Sequence, residues 1–192
     1  MAKNILVLLG NPDTTSFSGS IADVYETEAK NAGHHVERVD ISEMKFDPIL
    51  RKGYKEIQAL EPDLVKMQEK WLWADHIVIV YPNWWCTMPA VLKGLFDRMF
   101  LPGFAFNFDK VTHKLIRRLR GKTARVIVIA GTHSPFMTWL KYGDCTNEIQ
   151  HAILGFAGVK SKVITFGPSD HVSDLVRTKW LERVKKMAKR GQ

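Results

Sequence analysis

The chain is expected to fold as a doubly wound α/β domain, and three observations point there. Four apolar, β-branched runs, Ile5–Leu9, Ile77–Tyr81, Val126–Ala130 and Val163–Phe166, are continuous where half-exposed strands would alternate. That is the pattern of parallel strands covered on both faces. Helical patterns lie between them, so strand and helix take turns along the chain. At 192 residues, the length suits one domain, 1–192, with a core that needs no staples.

Each element has a local reason. After Ile5–Leu9, the residues Ile21, Val24, Tyr25, Glu28, Ala29 and Ala32 share one helical face, with Ser18 placed to cap it and Gly33 to end it. His35–Asp40 alternates and reads as an edge strand. Leu64, Val65, Gln68, Trp71 and Leu72 line a second helix. Pro89 suits the first turn of a third, whose buried stripe is Leu92, Leu95, Phe96 and Met99, with Asp97 and Arg98 as a surface or interface pair. A fourth helix is expected from Asn147 to Phe156, and a last from about Val172 to Lys189. Right-handed crossovers between five strands suit the order 2-1-3-4-5, the flavodoxin-like arrangement. Two long connections, Ile41–Pro62 and Leu101–Lys122, interrupt it. Phe100, Phe104, Phe106 and Phe108 are too apolar to stand in water, so the second connection should cover a pocket or a partner subunit.

Composition narrows the function. Hydrophobic and charged shares of 45% and 25% are ordinary globular values. The formal charge of +8 is concentrated in two clusters, Lys114–Lys122 and Lys179–Arg190. The second reads as the solvated face of the last helix, and no recognition-helix, zinc-finger or RNA-recognition signature accompanies either, so no nucleic-acid partner is expected. Cys86 and Cys145 form no CxxC pair and no metal-ligand spacing, which argues against a disulfide framework or a metal site. That usage suits a reducing cytoplasm. Ile5–Leu9 is far too short to span a bilayer or serve as a secretory signal.

In an open parallel sheet, ligands bind beyond the carboxyl ends of the strands, near the point where strand order reverses. Three loops reach that place. Gly10–Ser18 is rich in hydroxyls and runs into a helix N-terminus, where free N–H groups and the helix dipole favour a phosphate, with Thr15, Ser16 and Ser18 as further donors. It is neither GxGxxG nor GxxxxGK. Pro82–Pro89 carries Trp84 and Trp85, a flat apolar wall for a planar ring system. Gly131–Phe136 follows the fourth strand. Ser134 beside His133 is no hydrolase nucleophile, since no GxSxG elbow frames it. Strand 3 ends at Pro82 and Asn83 where a phospho-acceptor domain would need an aspartate, and Cys86 reads as a small buried residue beside the ring.

The segment Tyr81-Pro82-Asn83-Trp84-Trp85-Cys86-Thr87-Met88-Pro89, continuing through Leu92-Lys93-Gly94 to Gly103-Phe104-Ala105-Phe106, resembles the signature of the NAD(P)H:quinone oxidoreductases. That family includes DT-diaphorase and the ancillary subunits of bacterial potassium-efflux systems. Thr15-Ser16-Phe17-Ser18 resembles its flavin-phosphate loop and Phe46-Asp47-Pro48-Ile49 its segment after strand 2, and Gln68 stands at its glutamine. The resemblance covers about residues 4–170. It implies that Ser16, Phe17 and Ser18 hold the flavin phosphate and ribityl end, and that Pro82, Asn83, Trp84, Trp85, Gly131 and Thr132 contact the isoalloxazine ring. This chain departs from DT-diaphorase at Asn11, where that protein has a histidine, at Tyr142, where it has an active-site histidine, and near Phe136, where it has a tyrosine. The Gly-Gly pair of the third loop is reduced to Gly131-Thr132. His133 and Tyr142 are therefore the candidates for stabilising charge on the reduced ring.

The function so implied is two-electron transfer from NAD(P)H through FMN or FAD to a quinone-type acceptor, in a cytoplasmic homodimer built partly by residues 100–108. Two other readings stand beside it. A single-electron carrier of this fold would normally be strongly acidic, and a regulatory subunit would pair bound flavin with a membrane potassium-efflux transporter.

Overall fold

A computed structural model describes residues 1–192. Its central sheet contains β1 (Asn4–Leu9), β2 (His35–Asp40), β3 (His76–Pro82), β6 (Thr123–Ile129) and β7 (Lys160–Phe166), all parallel, in the order β2-β1-β3-β6-β7. This is the expected 2-1-3-4-5 order of a flavodoxin-like fold. Leu9 stands level with Asp40 on one side and Val80 on the other, so strand order reverses beside β1.

Alternate side chains of each inner strand enter opposite cores, which explains their unbroken apolar runs. Ile5, Val7 and Leu9, with Val78 and Val80, pack under α1 (Phe17–Asn31) and α5 (Asp174–Lys189). Leu6, Leu8, Ile77, Ile79 and Tyr81 pack under α2 (Pro62–Trp73) and α3 (Ala90–Met99) on the other face. A short antiparallel hairpin, β4 (Phe106–Phe108) with β5 (Leu115–Arg117), occupies the second long connection. No helix is long and apolar enough to cross a membrane.

Several local expectations need correction. Ser16, not Ser18, caps α1, accepting from the Gly19 N–H, while Ser18 is buried in the first turn. In α2 the buried stripe is Leu64, Met67 and Trp71; Val65 and Leu72 are exposed, because the helix is rolled so that one edge of its apolar arc faces out. The expected fourth helix forms as an eight-residue π-helical segment, Glu148–Gly155. Ahead of it lies an unanticipated helix, α4 (Pro135–Tyr142), capped by Ser134 and with no buried residue. Its polar stripe, Ser134, Thr138 and Lys141, spans only two turns, too short for the period to stand out beside the exposed Phe136, Trp139, Leu140 and Tyr142.

Arg98 is the largest departure. Instead of a surface pair with Asp97, it is fully buried and holds the first long connection against α3. Its guanidinium donates to the carbonyls of Asp47 and Ala59 and to the Glu61 carboxylate, the last at 2.8 Å. Asp97 pairs with Lys93 one helical turn away. Gly94 allows the approach, since a Cβ there would lie 2.4 Å from Pro48 Cβ.

Candidate active site

The carboxyl ends of β1, β3 and β6 bring the three loops together. Gly10 N–H donates to Val80 O at 2.8 Å and Asn83 N–H to Ile129 O at 2.7 Å, so each loop leaves the sheet stitched to its neighbour.

In the first loop the Thr15 and Ser16 hydroxyls are spent on the loop itself. Thr15 donates its N–H and its hydroxyl to Asp13, at 2.9 and 2.7 Å, and these bonds hold the Asp13 carboxyl below its ordinary pKa. Ser16 donates to Asp13 O, while the buried Asn11 donates through Nδ2 to Ser16 Oγ at 2.8 Å and accepts from Asp13 N–H. With Gly19 N–H on Ser16 Oγ and Ser20 N–H on Ser16 O, the N–H groups of Phe17 and Ser18 remain as orphan donors of the first turn. That turn contains no acidic residue. The groups here that could hold an anion are main-chain donors and the end of the helix dipole, while Asn11, Thr15 and Ser16 bond within the loop.

The second loop ends in a two-residue turn. Trp84 and Thr87 exchange main-chain hydrogen bonds of 2.9 and 3.1 Å, and Trp85 and Cys86 between them have φ of 53° and 63°. Both residues sit in the left-handed region, the I′ pattern that normally selects Asn-Gly, at roughly 1 kcal/mol or more of strain each. The turn presents Trp85 to solvent at 98% exposure and Trp84 at 47%. Behind them Asn83 Oδ1 is buried without a donor. It lines a cavity of about 180 Å³ with Pro135, Trp139, Gly143, Asp144 and Cys145.

The third loop supplies Gly131 and Thr132. A Cβ at Gly131 would lie 2.7 Å from the Asp170 carboxylate, a neighbour from the far end of β7 that the local sequence does not announce. His133 and Tyr142, at the two ends of α4, meet as stacked rings with centroids 6.1 Å apart, and Lys141 Nζ stands 3.5 Å from His133 Nε2.

Gln68 does not join this group. Its Nε2 donates to Met99 O, at the end of α3 remote from the loop that starts the helix. The phenylalanine-rich segment forms the wall of a separate apolar cavity of about 630 Å³, lined by Phe100, Phe106, Phe108 and Phe156 and bordered by the Lys93–Asp97 pair. Cys86, expected as a small buried residue beside the ring, is only half-buried.

Residues 3–186 match the family described as flavodoxin-like fold. The chain belongs to that family. Within it, the chain is 28% identical over 221 residues to ribosyldihydronicotinamide dehydrogenase [quinone] of Rattus norvegicus, covering 97% of this chain and 93% of the relative. Among solved structures of this fold, the NAD(P)H:quinone oxidoreductase of Methanothermobacter marburgensis superposes with a TM-score of 0.83 at 22% identity, covering both chains fully at 100%. An FMN-dependent NADH-azoreductase of Bacillus anthracis in complex with FMN superposes with a TM-score of 0.75 at 17% identity, covering 99% of each chain.

Proposed function

We propose that the protein is a flavin-dependent NAD(P)H:quinone oxidoreductase. One observation carries the reading: orphan helix N-terminal donors, an indole wall and an unpartnered buried amide oxygen converge at the reversal point of the sheet. Those three features fit the phosphate, the planar ring and a polar N–H edge of FMN or FAD. The quinone-reducing activities for which the Rattus norvegicus and Methanothermobacter marburgensis proteins are named, and the FMN of the Bacillus anthracis structure, support the same choice.

When bound, the flavin supplies two-electron hydride exchange between a nicotinamide and a quinone. The residues of the chain do the holding. Phe17 and Ser18 N–H groups bind the phosphate, and Asn11 and Ser16 keep the loop in shape. Pro82, Trp84 and Trp85 would hold the ring, and Asn83 Oδ1, buried without a partner, would accept a hydrogen bond from it. Gly131 and Thr132 bring main chain close on the far side, and the His133–Tyr142 stack stabilises charge at the mouth. Nicotinamide and quinone would occupy the same opening between these loops in turn. The bare apolar side chains of α4, with Trp85 and Phe108, are covered by a second copy of the chain, since such a surface is rare on a free monomer. The reducing chemistry suits the cytoplasm.

The decisive experiment is spectroscopic. The purified protein incubated with FMN or FAD and desalted should keep a yellow chromophore, which NADH or NADPH bleaches anaerobically without any acceptor. Turnover with a quinone should give parallel double-reciprocal lines. Protein that takes up neither flavin overturns the reading, and intersecting lines overturn the shared face.

A further inference from the structure

The turn that leads into β6 and the loop that leads into β7 enclose a cavity of about 340 Å³, lined by the side chains of Arg117, Arg120 and Lys160 and by the main chain of Gly121, Gly155 and Gly158. All strands of the sheet are parallel, so the amino ends of β6 and β7 lie across the whole sheet from the loops of the candidate active site. The lining holds three cations and no carboxylate. None of the three takes part in an ion pair. Two of them come from the basic cluster Lys114–Lys122, which flavin binding leaves without a role.

Main chain holds the cavity in shape. Leu119 N–H donates to Ala157 O at 3.0 Å and Lys160 N–H to Lys122 O at 3.1 Å, so turn and loop are stitched together at two points, with Leu119 buried beneath. Gly158, at φ 95°, lies directly against both arginine stems: a Cβ there would stand 2.9 Å from Arg117 Cβ and 2.9 Å from Arg120 Cγ. The two guanidinium groups therefore spring from packed positions. Gly121 supplies the positive φ, 92°, in the Leu119–Lys122 turn, and the N–H groups of Arg120 and Gly121 donate to no group of the protein. We propose that this cavity binds a diphosphate group, carried by inorganic pyrophosphate or by a nucleoside diphosphate. Two guanidinium forks suit paired phosphate oxygens, the lysine adds a point charge, and the free N–H groups of the turn add donors. Three cations without a carboxylate repel one another, and a multiply charged anion relieves that repulsion where a single carboxylate would leave most of it. The volume lies at the low end of the roughly 300–1,000 Å³ of ligand pockets and exceeds what one phosphate fills. The site stands apart from the function proposed above and does not rest on it.

The test is isothermal titration calorimetry of the full chain, without divalent metal and at a salt concentration of about 0.15 M. Inorganic pyrophosphate and ADP are titrated separately, with orthophosphate as the reference. Pyrophosphate, ADP or both should bind at one site, about tenfold or more tighter than orthophosphate. Arg120→Gln and Lys160→Gln should each weaken that binding by about tenfold, the loss of one hydrogen bond to a charged group. Both side chains are exposed, so the urea midpoint should stay that of the wild type. Stronger binding of ADP assigns the diphosphate to a nucleotide and stronger binding of pyrophosphate to the free anion; either supports the site. Binding of neither, orthophosphate as tight as pyrophosphate, or full affinity in both variants would overturn it. So would a loss in Ser16→Asp equal to that in Arg120→Gln, because the diphosphate would then sit in the loop after β1. Flavin uptake is read separately by absorbance, so a failure of this site and a failure of flavin binding are distinct results.

Discussion

His76 makes the stability of this fold depend on pH in a calculable way. It opens β3, is 3% exposed, and its Nδ1 lies 2.7 Å from Thr123 Oγ1, while Nε2 is buried with no partner. Burial, reinforced by the positive charges of Lys3 and Arg125 and by His34, lowers its pKa from 6.5 to about 3. The imidazole is therefore neutral in the folded state at any pH above about 3, whereas the unfolded chain takes up a proton below 6.5. The unfolded state binds more protons throughout that window, so stability is flat above pH 6.5 and falls as pH drops from 6.5 toward 3. At about 1.4 kcal/mol per pH unit, the loss from this one group is roughly 2 kcal/mol at pH 5. Urea titrations followed by tryptophan fluorescence at pH 7.5 and pH 5 give the measurement, with His76→Gln as the reference that cannot titrate. The wild type should lose about 2 kcal/mol more than the variant between the two conditions. Parallel losses in both proteins would refute the reasoning, because the proton would then be taken up equally by folded and unfolded chains.

Three further outcomes are expected. Trp85→Ala removes a side chain that is 98% exposed, so unfolding in urea should shift by less than about 0.5 kcal/mol while flavin affinity, read by fluorescence titration, falls. Ser16→Ala loses the α1 cap and the Asn11 bond and should cost about 1 kcal/mol; Ser16→Asp keeps a capping oxygen and stability, yet should weaken FMN binding more than Ser16→Ala does, through repulsion of the phosphate. Gly94→Ala should destabilise by about 1–3 kcal/mol despite the better helix propensity of alanine, because the new Cβ would meet Pro48 Cβ at 2.4 Å and its carbonyl oxygen at 2.6 Å; stabilisation in a urea melt would show that the first long connection is not seated on α3.

By itself the sequence determined the sheet, its strand order and which loops meet at its carboxyl end. Inner parallel strands must be apolar on both faces, so Ile5–Leu9 and Ile77–Tyr81 announce themselves, and parallel topology then obliges the loops after β1, β3 and β6 to share one end of the sheet. The edge strand His35–Asp40 was legible residue for residue too, from the mixing of polar with β-branched residues that a strand covered on one side tolerates. Tertiary structure decided what depends on partners distant in the chain. Periodicity shows that a helix has an apolar face but not how it is rolled, which is why Val65 and Leu72 lie outside and Met67 inside. It gives no warning that Arg98 is buried, because the groups that neutralise it, Glu61 and the carbonyls of Asp47 and Ala59, come from a connection with no regular pattern. The Thr15 and Ser16 hydroxyls, read from sequence as donors for a phosphate, bond Asp13 here, an arrangement set by the local geometry of the loop rather than by residue type. The left-handed turn at Trp85 and Cys86 runs against local preference altogether. Main-chain bonds between Trp84 and Thr87, and the Thr87 hydroxyl on the Glu148 carboxylate far along the chain, hold it there, and no pattern of residues near the turn could show that partner.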